Sequence, residues 1–255
     1  MTSPFSLAVA TPTRSGSFCM DYVGSVLELQ HHCLGKGIDF RFLPLANVTL
    51  IDLARNTLAN RFLWETPCTH LLFVDDDMGF HAGELARMFD YRDRDVIGAL
   101  YPRRAYDWAR IKQAVLSHPD IDPATLPDIA ADYRDMFALP GDAPTMTVSH
   151  EPIPMAGIPS GLMMISRECL MKLIGSGRVS QINPGTEVNG QVVKHPIYEF
   201  FRQTTIDGRT QGEDYYFCSL VNASGAQVWG CTWIQVTHTG AHSFYGNLQK
   251  ISSYL

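Results

Sequence analysis

The stretch HLLFVDDDMGF, residues 70–80, joins an apolar run to three consecutive aspartates. A short apolar run with an abrupt polar end, such as Leu71 to Val74, is typical of a buried strand. Asp75, Asp76 and Asp77 follow at the end of this predicted strand, where three like charges repel one another. We therefore expect a positive group to lie between these carboxylates.

The sequence on both sides of this stretch alternates between strand and helix patterns. Before residue 105, strands are predicted over 5–10, 38–43, 70–74 and 95–101, and helices over 19–33, 50–64 and 81–89. After residue 150, strands are predicted over 161–166 and 227–236, helices over 167–174 and 212–223, and a loop or hairpin over 175–196. This order predicts an α/β fold of Rossmann type, with a mostly parallel sheet flanked by helices. Residues 105–150 are rich in Pro and Asp, which predicts an inserted loop-rich segment or lid with some helix.

Ligand sites in such sheets form outside the carboxyl ends of the strands. Three polar segments fall at predicted strand ends: Thr11-Pro12-Thr13, which is predicted as an exit loop, Asp75–Asp77, and Tyr101–Arg104. Carboxylate oxygens are the ligands that Mg²⁺ and Mn²⁺ prefer, and such an ion could hold a diphosphate. A solvated turn is the alternative for the aspartates, since Asp is common in turns.

Composition and charge exclude several classes of protein. Of the 255 residues, 45% are hydrophobic and 18% charged, which predicts a packed core. The net charge of −6 and the lack of a basic stripe argue against nonspecific nucleic-acid binding. No apolar run is long enough to predict a membrane span, and no basic n-region predicts a signal peptide. We expect a cytoplasmic protein whose six cysteines are free thiols, with no C-x-x-C pair for structural zinc.

Two later segments carry further candidates for chemistry. Glu213 and Asp214 open a predicted helix, where acids either compensate the helix dipole or supply a general base. The segment THTGAHSFYG contributes His238 and His242. Either histidine could complete a carboxylate metal site or be an ordinary core or surface residue.

The ordered set of motifs resembles metal-dependent, GT-A-type glycosyltransferases, and more closely their small bacterial and phage-encoded members. The motifs are LIDLARN (50–56), LLFVDDDMGF (71–80), YPRR (101–104), GLMMI (161–165), EDYYFC (213–218) and THTG (237–240). They extend over nearly the whole chain except 105–150. The resemblance implies one GT-A-like domain over 1–255. Its parts would be a nucleotide-binding half (1–104), an insertion or lid (105–150), and an acceptor and catalytic half (151–255).

By this resemblance, the chain would move a sugar from a nucleoside-diphosphate sugar, with UDP favoured, to a hydroxyl acceptor, with inversion. Asp75, Asp77 and His238 would hold Mn²⁺ or Mg²⁺, with Asp77 the more direct ligand. Asp214 would be the general base, and Glu213 would orient donor or acceptor. Donor-binding residues would be Thr11, Pro12, Thr13, Arg55, Asp75, Asp76, Ser160 and Gly161.

Several alternatives stay open at the level of sequence. Arg55 could instead be an exposed helix charge, and Tyr198, Phe200 and Phe201 are better explained as core aromatics than as an acceptor pocket. A sugar-phosphate nucleotidyltransferase shares a similar sheet, but its Gly-rich basic loop matches TPTRSGSF poorly. An inactive sugar-nucleotide-binding module is the third reading. The acceptor could be a glycan, a lipid-linked glycan, a protein or a modified nucleic acid, and the oligomeric state is open. We expect residues 105–150 and 175–196 to select the acceptor.

Overall fold

The computed structural model describes residues 4–143, 145–182, 187–188, 190–192, 195–206, 208–241 and 249. The strands are β1 (Ser6–Thr13), β2 (Asp39–Ala46), β3 (His70–Val74), β4 (Met78–Phe80), β5 (Val96–Ala99), β6 (Arg103–Tyr106), β7 (Ala131–Asp132), β8 (Ile153–Met155), β9 (Leu162–Ser166), β10 (Ser180–Ile182), β11 (Glu187–Val188), β12 (Gln191–Val192), β13 (Ile197–Glu199), β14 (Thr204–Ile206), β15 (Arg209–Gln211), β16 (Val228–Cys231) and β17 (Val236–His238). The α-helices are α1 (Met20–Gly35), α2 (Ile51–Glu65), α3 (Ala82–Ala86), α4 (Trp108–Ser117), α5 (Leu126–Ala130), α6 (Arg167–Gly175) and α7 (Glu213–Ala223). Short 3₁₀ turns cover Arg87–Tyr91, Pro123–Thr125 and Pro140–Asp142.

The central sheet has seven strands in the order β2-β1-β3-β9-β5-β16-β8. β1 is parallel to β2 and β3, and β16 is parallel to β5. β9 is antiparallel to β3 and β5, and β8 is antiparallel to β16. Only β8 and β9 therefore run against the other five strands. The predicted α/β fold with a mostly parallel sheet flanked by helices is confirmed.

Each face of the sheet has its own hydrophobic core, because side chains alternate along the strands. On β1, Ala8 and Ala10 contribute to the core that α2, α6 and α7 cover. Leu7 and Val9 contribute to the core beneath α1 and α3. The aromatic pair 200–201 is buried in the first core and Tyr198 packs against it, in agreement with the preferred interpretation.

Several predicted boundaries are wrong for identifiable reasons. Thr11-Pro12-Thr13 is not an exit loop, because β1 continues through it and pairs with β2 up to Thr13 and Ala46. Pro12 is tolerated because β3 pairs only with the earlier residues Leu7–Ala10, so the missing N–H leaves that side of the ladder intact. The strand predicted over 227–236 is two strands in different sheets, separated by a bend at 232–233. The helix predicted over 81–89 is the short α3 followed by a 3₁₀ turn.

The segment 105–150 contains some helix, as the sequence predicts, together with a pair of short strands. β6 and β7 pair antiparallel, and α4 and α5 lie between them in sequence. Asp132, whose side chain is fully buried, accepts hydrogen bonds from Arg134 at 2.8 Å and Arg103 at 2.7 Å. These arginines, Arg134 foremost, hold the pKa of Asp132 below its usual range and fasten the end of the segment to its start. Within 175–196, the described residues include the predicted hairpin, as β11 and β12.

Among the described residues, no helix has the length and apolarity that crossing a membrane requires. All six cysteines are free thiols, and all except Cys19 are buried.

Candidate active site

The aspartate run lies in a sharp connection between β3 and β4. β4 pairs antiparallel with β17, and this pairing sets Met78 opposite His238. The Thr239 N–H also donates to the Asp77 carbonyl oxygen at 2.9 Å. Gly79 is required here because a Cβ at this position would lie 2.8 Å from the Asp21 Cβ on α1. The three-residue strands β4 and β17 thus bring a late histidine to the aspartate run.

Asp77 and His238 face each other across a short gap. His238 Nε2 lies 3.6 Å from Asp77 Oδ2, and His238 Nδ1 lies 2.8 Å from the Pro102 carbonyl oxygen. A carbonyl oxygen only accepts, so Nδ1 carries a proton, and Nε2 is left to bind a proton or a metal ion. Burial lowers the pKa of His238, but Asp77 and the Pro102 carbonyl outweigh it, and the net pKa is raised.

Two arginines pair with the aspartate run, each with a different aspartate. Arg104 Nη1 donates to Asp77 Oδ2 at 2.9 Å, and Arg104 is 55% exposed. Burial would raise the pKa of Asp77, but His238 and Arg104 outweigh it and hold the pKa below its usual value. Arg55 Nη2 lies 3.0 Å from Asp75 and donates to its Oδ2.

Arg55 connects the aspartate run to the helix that carries Asp214. Its side chain is only 3% exposed, which rules out the alternative of an exposed helix charge. While Nη2 binds Asp75, Nε donates to Glu213 Oε1 at 3.2 Å. A carboxylate–guanidinium–carboxylate bridge, with a buried guanidinium and two partly exposed carboxylates, therefore joins the carboxyl end of β3 to the first turn of α7.

Ser160 and Gly161 lie directly against this bridge. The Asp75 N–H donates to the Gly161 carbonyl at 2.9 Å, and the Gly161 N–H donates to the Tyr101 hydroxyl at 2.8 Å. A Cβ at Gly161 would contact the Tyr101 hydroxyl and lie 2.7 Å from Asp75 Oδ2. Gly161 is therefore needed for the close approach of these groups. Tyr101, which the sequence analysis placed only at a strand end, is buried, and its hydroxyl leaves no room for a side chain at position 161.

Two buried polar atoms, Arg55 Nη1 and Ser160 Oγ, have no hydrogen-bond partner among the described residues. Asp75 Oδ1 also makes no hydrogen bond there, but it lies 3.0 Å from Arg55 Nη2 and is therefore part of the ion pair. Buried polar atoms are rarely left unpaired in folded proteins. Donor and acceptor atoms of a bound ligand, such as hydroxyl or phosphate oxygens, would satisfy them. Their position at one edge of the sheet fits a polar ligand.

The predicted nucleoside-contacting residues lie beside the aspartates but are themselves buried. The Thr11 hydroxyl is 2.6 Å from the Tyr22 hydroxyl, and Thr13 Oγ1 accepts from the Gly16 N–H at 3.1 Å. Burial raises the pKa of Asp76, and a hydrogen bond with Thr13 partly offsets this. The Phe18 ring stacks on Tyr22 with centroids 5.1 Å apart and is 39% exposed, a flat surface that the sequence analysis did not single out.

The two acidic residues that open α7 have different surroundings. Glu213 is paired with Arg55, whereas Asp214 lines a cavity of about 1170 Å³. Asp214 Oδ1 accepts from the Tyr215 N–H at 2.8 Å, and a Cβ at Gly212 would lie 2.7 Å from that oxygen. Burial, reinforced by Glu213, raises the pKa of Asp214 to about 6. A carboxylate with this pKa can accept a proton near neutral pH.

The structure brings Asp77 and His238 together but directs Asp75 to Arg55. Within the described part of the chain, no group of three or more His, Cys, Asp or Glu side chains is arranged to hold a metal ion. His242 lies outside the described residues. The three predicted polar segments do meet at one edge, because Thr13 is close enough to Asp76 to lower its pKa, Arg104 bonds Asp77, and residues 75 and 101 share contacts with Gly161.

Comparison with known proteins gives information on the fold. No protein-family model and no curated protein matches this sequence. The solved structure of A197 from STIV matches with a TM-score of 0.50 and 13% identity, over 93% of this chain and 87% of that one. A glycosyltransferase involved in glycosylation of the major capsid of PBCV-1 matches with a TM-score of 0.32 and 10% identity, over 68% of this chain and 67% of that one. S. aureus TarS 1-349 matches with a TM-score of 0.38 and 11% identity, over 89% of this chain and 60% of that one. The chain thus shares its overall fold with A197.

Proposed function

We propose that this chain is a divalent-metal-dependent glycosyltransferase that uses a nucleoside-diphosphate sugar, with UDP favoured, and inverts the transferred sugar. The observation that carries the proposal is the bridge through Arg55. On one side of it lies Asp75 beside the Asp77–His238 pair, and on the other lies a carboxylate with a raised pKa at the edge of a cavity. Sugar transfer needs both sides, one for the departing diphosphate and one for the incoming hydroxyl.

Two of the residues present offer ligand atoms for a divalent cation. Asp77 Oδ2 and His238 Nε2 would hold it, while Asp75 stays paired with Arg55. Mixed carboxylate and imidazole ligands suit Mn²⁺, and Mg²⁺ binds through few carboxylates while it keeps several waters. When bound, the ion would supply Lewis-acid stabilisation of the leaving diphosphate.

Arg104 would change partners when another cation binds Asp77. It is the present cationic partner of that carboxylate, and its exposed side chain is free to turn. A guanidinium displaced from Asp77 stays close to the place where the diphosphate would lie and can pair with a phosphate oxygen. Arg104 would therefore pair with Asp77 before the metal ion binds and with a phosphate oxygen afterwards.

Asp214 would take the proton of the acceptor hydroxyl. With a pKa of about 6 it is mostly ionised at neutral pH and still basic enough to share a proton in the transition state. Glu213 would be a positioning residue, because its bond to Arg55 holds the first turn of α7 against the donor side.

Calorimetric titration with UDP, GDP and CDP, with and without Mn²⁺, tests the proposal. We expect one nucleotide to bind with a dissociation constant of about micromolar order and to lose this binding on chelation. Asp77→Ala should abolish the Mn²⁺-dependent binding, whereas Asp120→Ala, an exposed aspartate in the insertion, should not. Failure of all three nucleotides to bind with Mn²⁺ present would contradict the proposal, whereas nucleotide binding without sugar transfer would favour an inactive module. Release of pyrophosphate from a nucleoside triphosphate and a sugar phosphate would favour a nucleotidyltransferase.

A further inference from the structure

Three segments form the walls of the cavity beside Asp214. Residues 135, 137 and 138 come from the insertion, residues 206 and 209–211 from the hairpin of β14 and β15, and residues 212, 214 and 215 from the start of α7. At about 1170 Å³, the cavity is larger than the space that a single water or ion occupies and fits several sugar-sized units.

The insertion wall of this cavity is held in place by specific contacts. The Ala138 N–H donates to the Gly157 carbonyl at 2.8 Å, and the Ala156 N–H donates to the Ala138 carbonyl at 2.8 Å. The Tyr215 hydroxyl donates to the Asp135 carbonyl at 3.2 Å. The Tyr215 ring lies so close to Gly157 that a Cβ there would be 2.8 Å from it. The wall is therefore built before any acceptor binds.

The chemistry of the lining distinguishes between classes of acceptor. Among the residues that the structure describes, Arg209 is the one cation in the lining, against the carboxylates of Asp135 and Asp214, so this lining is not basic. A polyanion such as nucleic acid needs clustered cations to neutralise its phosphates, and this lining lacks them. A lipid tail needs an apolar lining. Against a lipid tail, the side chains of Arg209, Gln211 and Asp214 would be left without hydrogen-bond partners.

A neutral glycan matches the same lining. Its neighbouring hydroxyls donate and accept at once, which suits a carboxylate, a guanidinium and the amide of Gln211. The Gln211 Oε1 atom is buried and accepts no hydrogen bond from the residues that the structure describes. The rings of Phe137 and Tyr215 offer flat apolar surfaces for the C–H face of a sugar.

We infer that this cavity binds a neutral oligosaccharide as the acceptor, an inference that rests on the proposed function. One hydroxyl of the oligosaccharide lies at Asp214, which takes its proton. The acceptor oxygen then bonds to the anomeric carbon of the donor sugar as the bond from that carbon to the diphosphate oxygen breaks. The nucleoside diphosphate leaves with the electron pair.

Binding to an array of neutral oligosaccharides of two to four units tests the inference, with a 12-base-pair DNA duplex and a serine-rich peptide as competing probes. We expect at least one oligosaccharide to bind and neither competing probe to displace it. Gln211→Leu should weaken this binding about tenfold, through loss of one hydrogen bond to a polar ligand. Arg209→Met is a second variant at an exposed residue, with the same expected direction. Gln181→Leu, an exposed glutamine on β10 outside the cavity, is the matched control.

The outcomes separate this inference from the proposed function. If UDP binds with Mn²⁺ but no oligosaccharide binds, or if binding is unchanged in both cavity variants, the acceptor assignment is overturned and the proposed function stands. Displacement of the oligosaccharide by the DNA duplex or the peptide also overturns it. If the oligosaccharides bind and respond to the cavity variants while no nucleotide binds, the cavity assignment stands and the proposed function fails.

Discussion

At the scale of single residues, the surroundings of Asp214 and Asp77 shift the pKa values of these two aspartates in opposite directions. Burial and then Glu213 raise the pKa of Asp214 to about 6. For Asp77, burial acts in the same direction but is outweighed by His238 and Arg104, so its pKa is lowered. Carboxylates whose environments separate their pKa values suit different roles, which fits the proposed base, Asp214, and the proposed cation ligand, Asp77.

The activity of the protein should report the protonation of Asp214. We expect kcat/KM to fall as pH drops through about 6, because the protonated carboxyl cannot accept a proton. Asp214→Asn should lower turnover by about 10²–10⁴-fold and leave nucleotide affinity within about twofold. Initial rates from pH 5 to 8 and calorimetry on the variant check this. A wild-type profile that is flat across this range would exclude Asp214 as the base.

The same raised pKa predicts a cost in stability. Because the native state holds the Asp214 proton more tightly than the unfolded state, its contribution is fully present below pH 3.8 and is lost as pH rises through about 6. Asp214→Asn should therefore increase the free energy of unfolding at pH 8, by about 1–3 kcal/mol. Urea unfolding at pH 5 and 8 measures the free energy of unfolding of wild type and variant, with Asp120→Asn as an exposed control. A variant less stable than wild type at pH 8 would contradict the assigned pKa.

Two arginines on α2 form a matched pair for testing the bridge through Arg55. Arg55 is 3% exposed and holds two carboxylates, whereas Arg61 makes an exposed pair with Glu65 at 3.1 Å. Arg55→Met leaves two partly buried carboxylates without a partner and should cost about 3 kcal/mol of unfolding free energy, the low end of the loss for a buried pair. Arg61→Met should cost about 0.3–0.5 kcal/mol. Equal losses in urea unfolding would show that the bridge does not hold α7 to the sheet.

At the scale of elements, α2 is unusual because four of its nine buried residues are polar. Asn56 Nδ2 donates to the Phe201 carbonyl at 2.7 Å, and the Phe201 N–H donates back to Asn56 Oδ1 at 2.9 Å. Asn60 makes the same two-way contact with Tyr198, at 2.9 and 3.0 Å. Two side-chain amides thus act as a strand edge for residues 198–201. They fix the segment that leads to the hairpin of β14 and β15.

Removal of one such amide should loosen that segment. Asn60→Ala leaves the buried N–H and carbonyl of Tyr198 without these partners, so we expect a loss of about 2–4 kcal/mol. Gln113→Ala on α4, whose amide bonds only Ser117 at the surface, should lose less than about 0.5 kcal/mol. Thermal and urea unfolding compare them. A loss at Asn60 as small as the control would mean that residues 198–201 are held by their aromatic side chains alone.

Element positions could be predicted where the local pattern is long and regular. β3 was predicted with both ends correct, and α1, α2, α6 and α7 begin and end within one or two residues of their predicted bounds. The three-residue strands β4, β8 and β17 were not predicted as separate elements. Segments so short have no periodicity of their own, and they become strands only because a partner lies beside them.

At the scale of the whole molecule, the candidate site draws on both ends of the chain. The donor side combines residues that follow β3 with β17, and the bridge adds α2 and α7. A ligand that binds only this assembled site stabilises the entire fold. With Mn²⁺ and a bound nucleotide at about 100 times its dissociation constant, we expect a gain of about 2.7 kcal/mol. Thermal unfolding should show this gain for wild type and no gain for Asp77→Ala. A gain retained by the variant would place the nucleotide elsewhere.

The sequence by itself determined the fold class and the types of side chain at the sheet edge. Strand and helix periods are local properties, and the carboxyl ends of parallel strands must share one edge, so Asp75–Asp77 and Tyr101–Arg104 could be grouped in advance. The tertiary structure alone decided that Arg55 joins Asp75 to Glu213, that β4 and β17 bring His238 to Asp77, and that Thr13 stays in a strand. These are contacts between residues far apart in the chain. No local pattern specifies them, because each depends on which buried polar groups are left to satisfy one another once the core has packed.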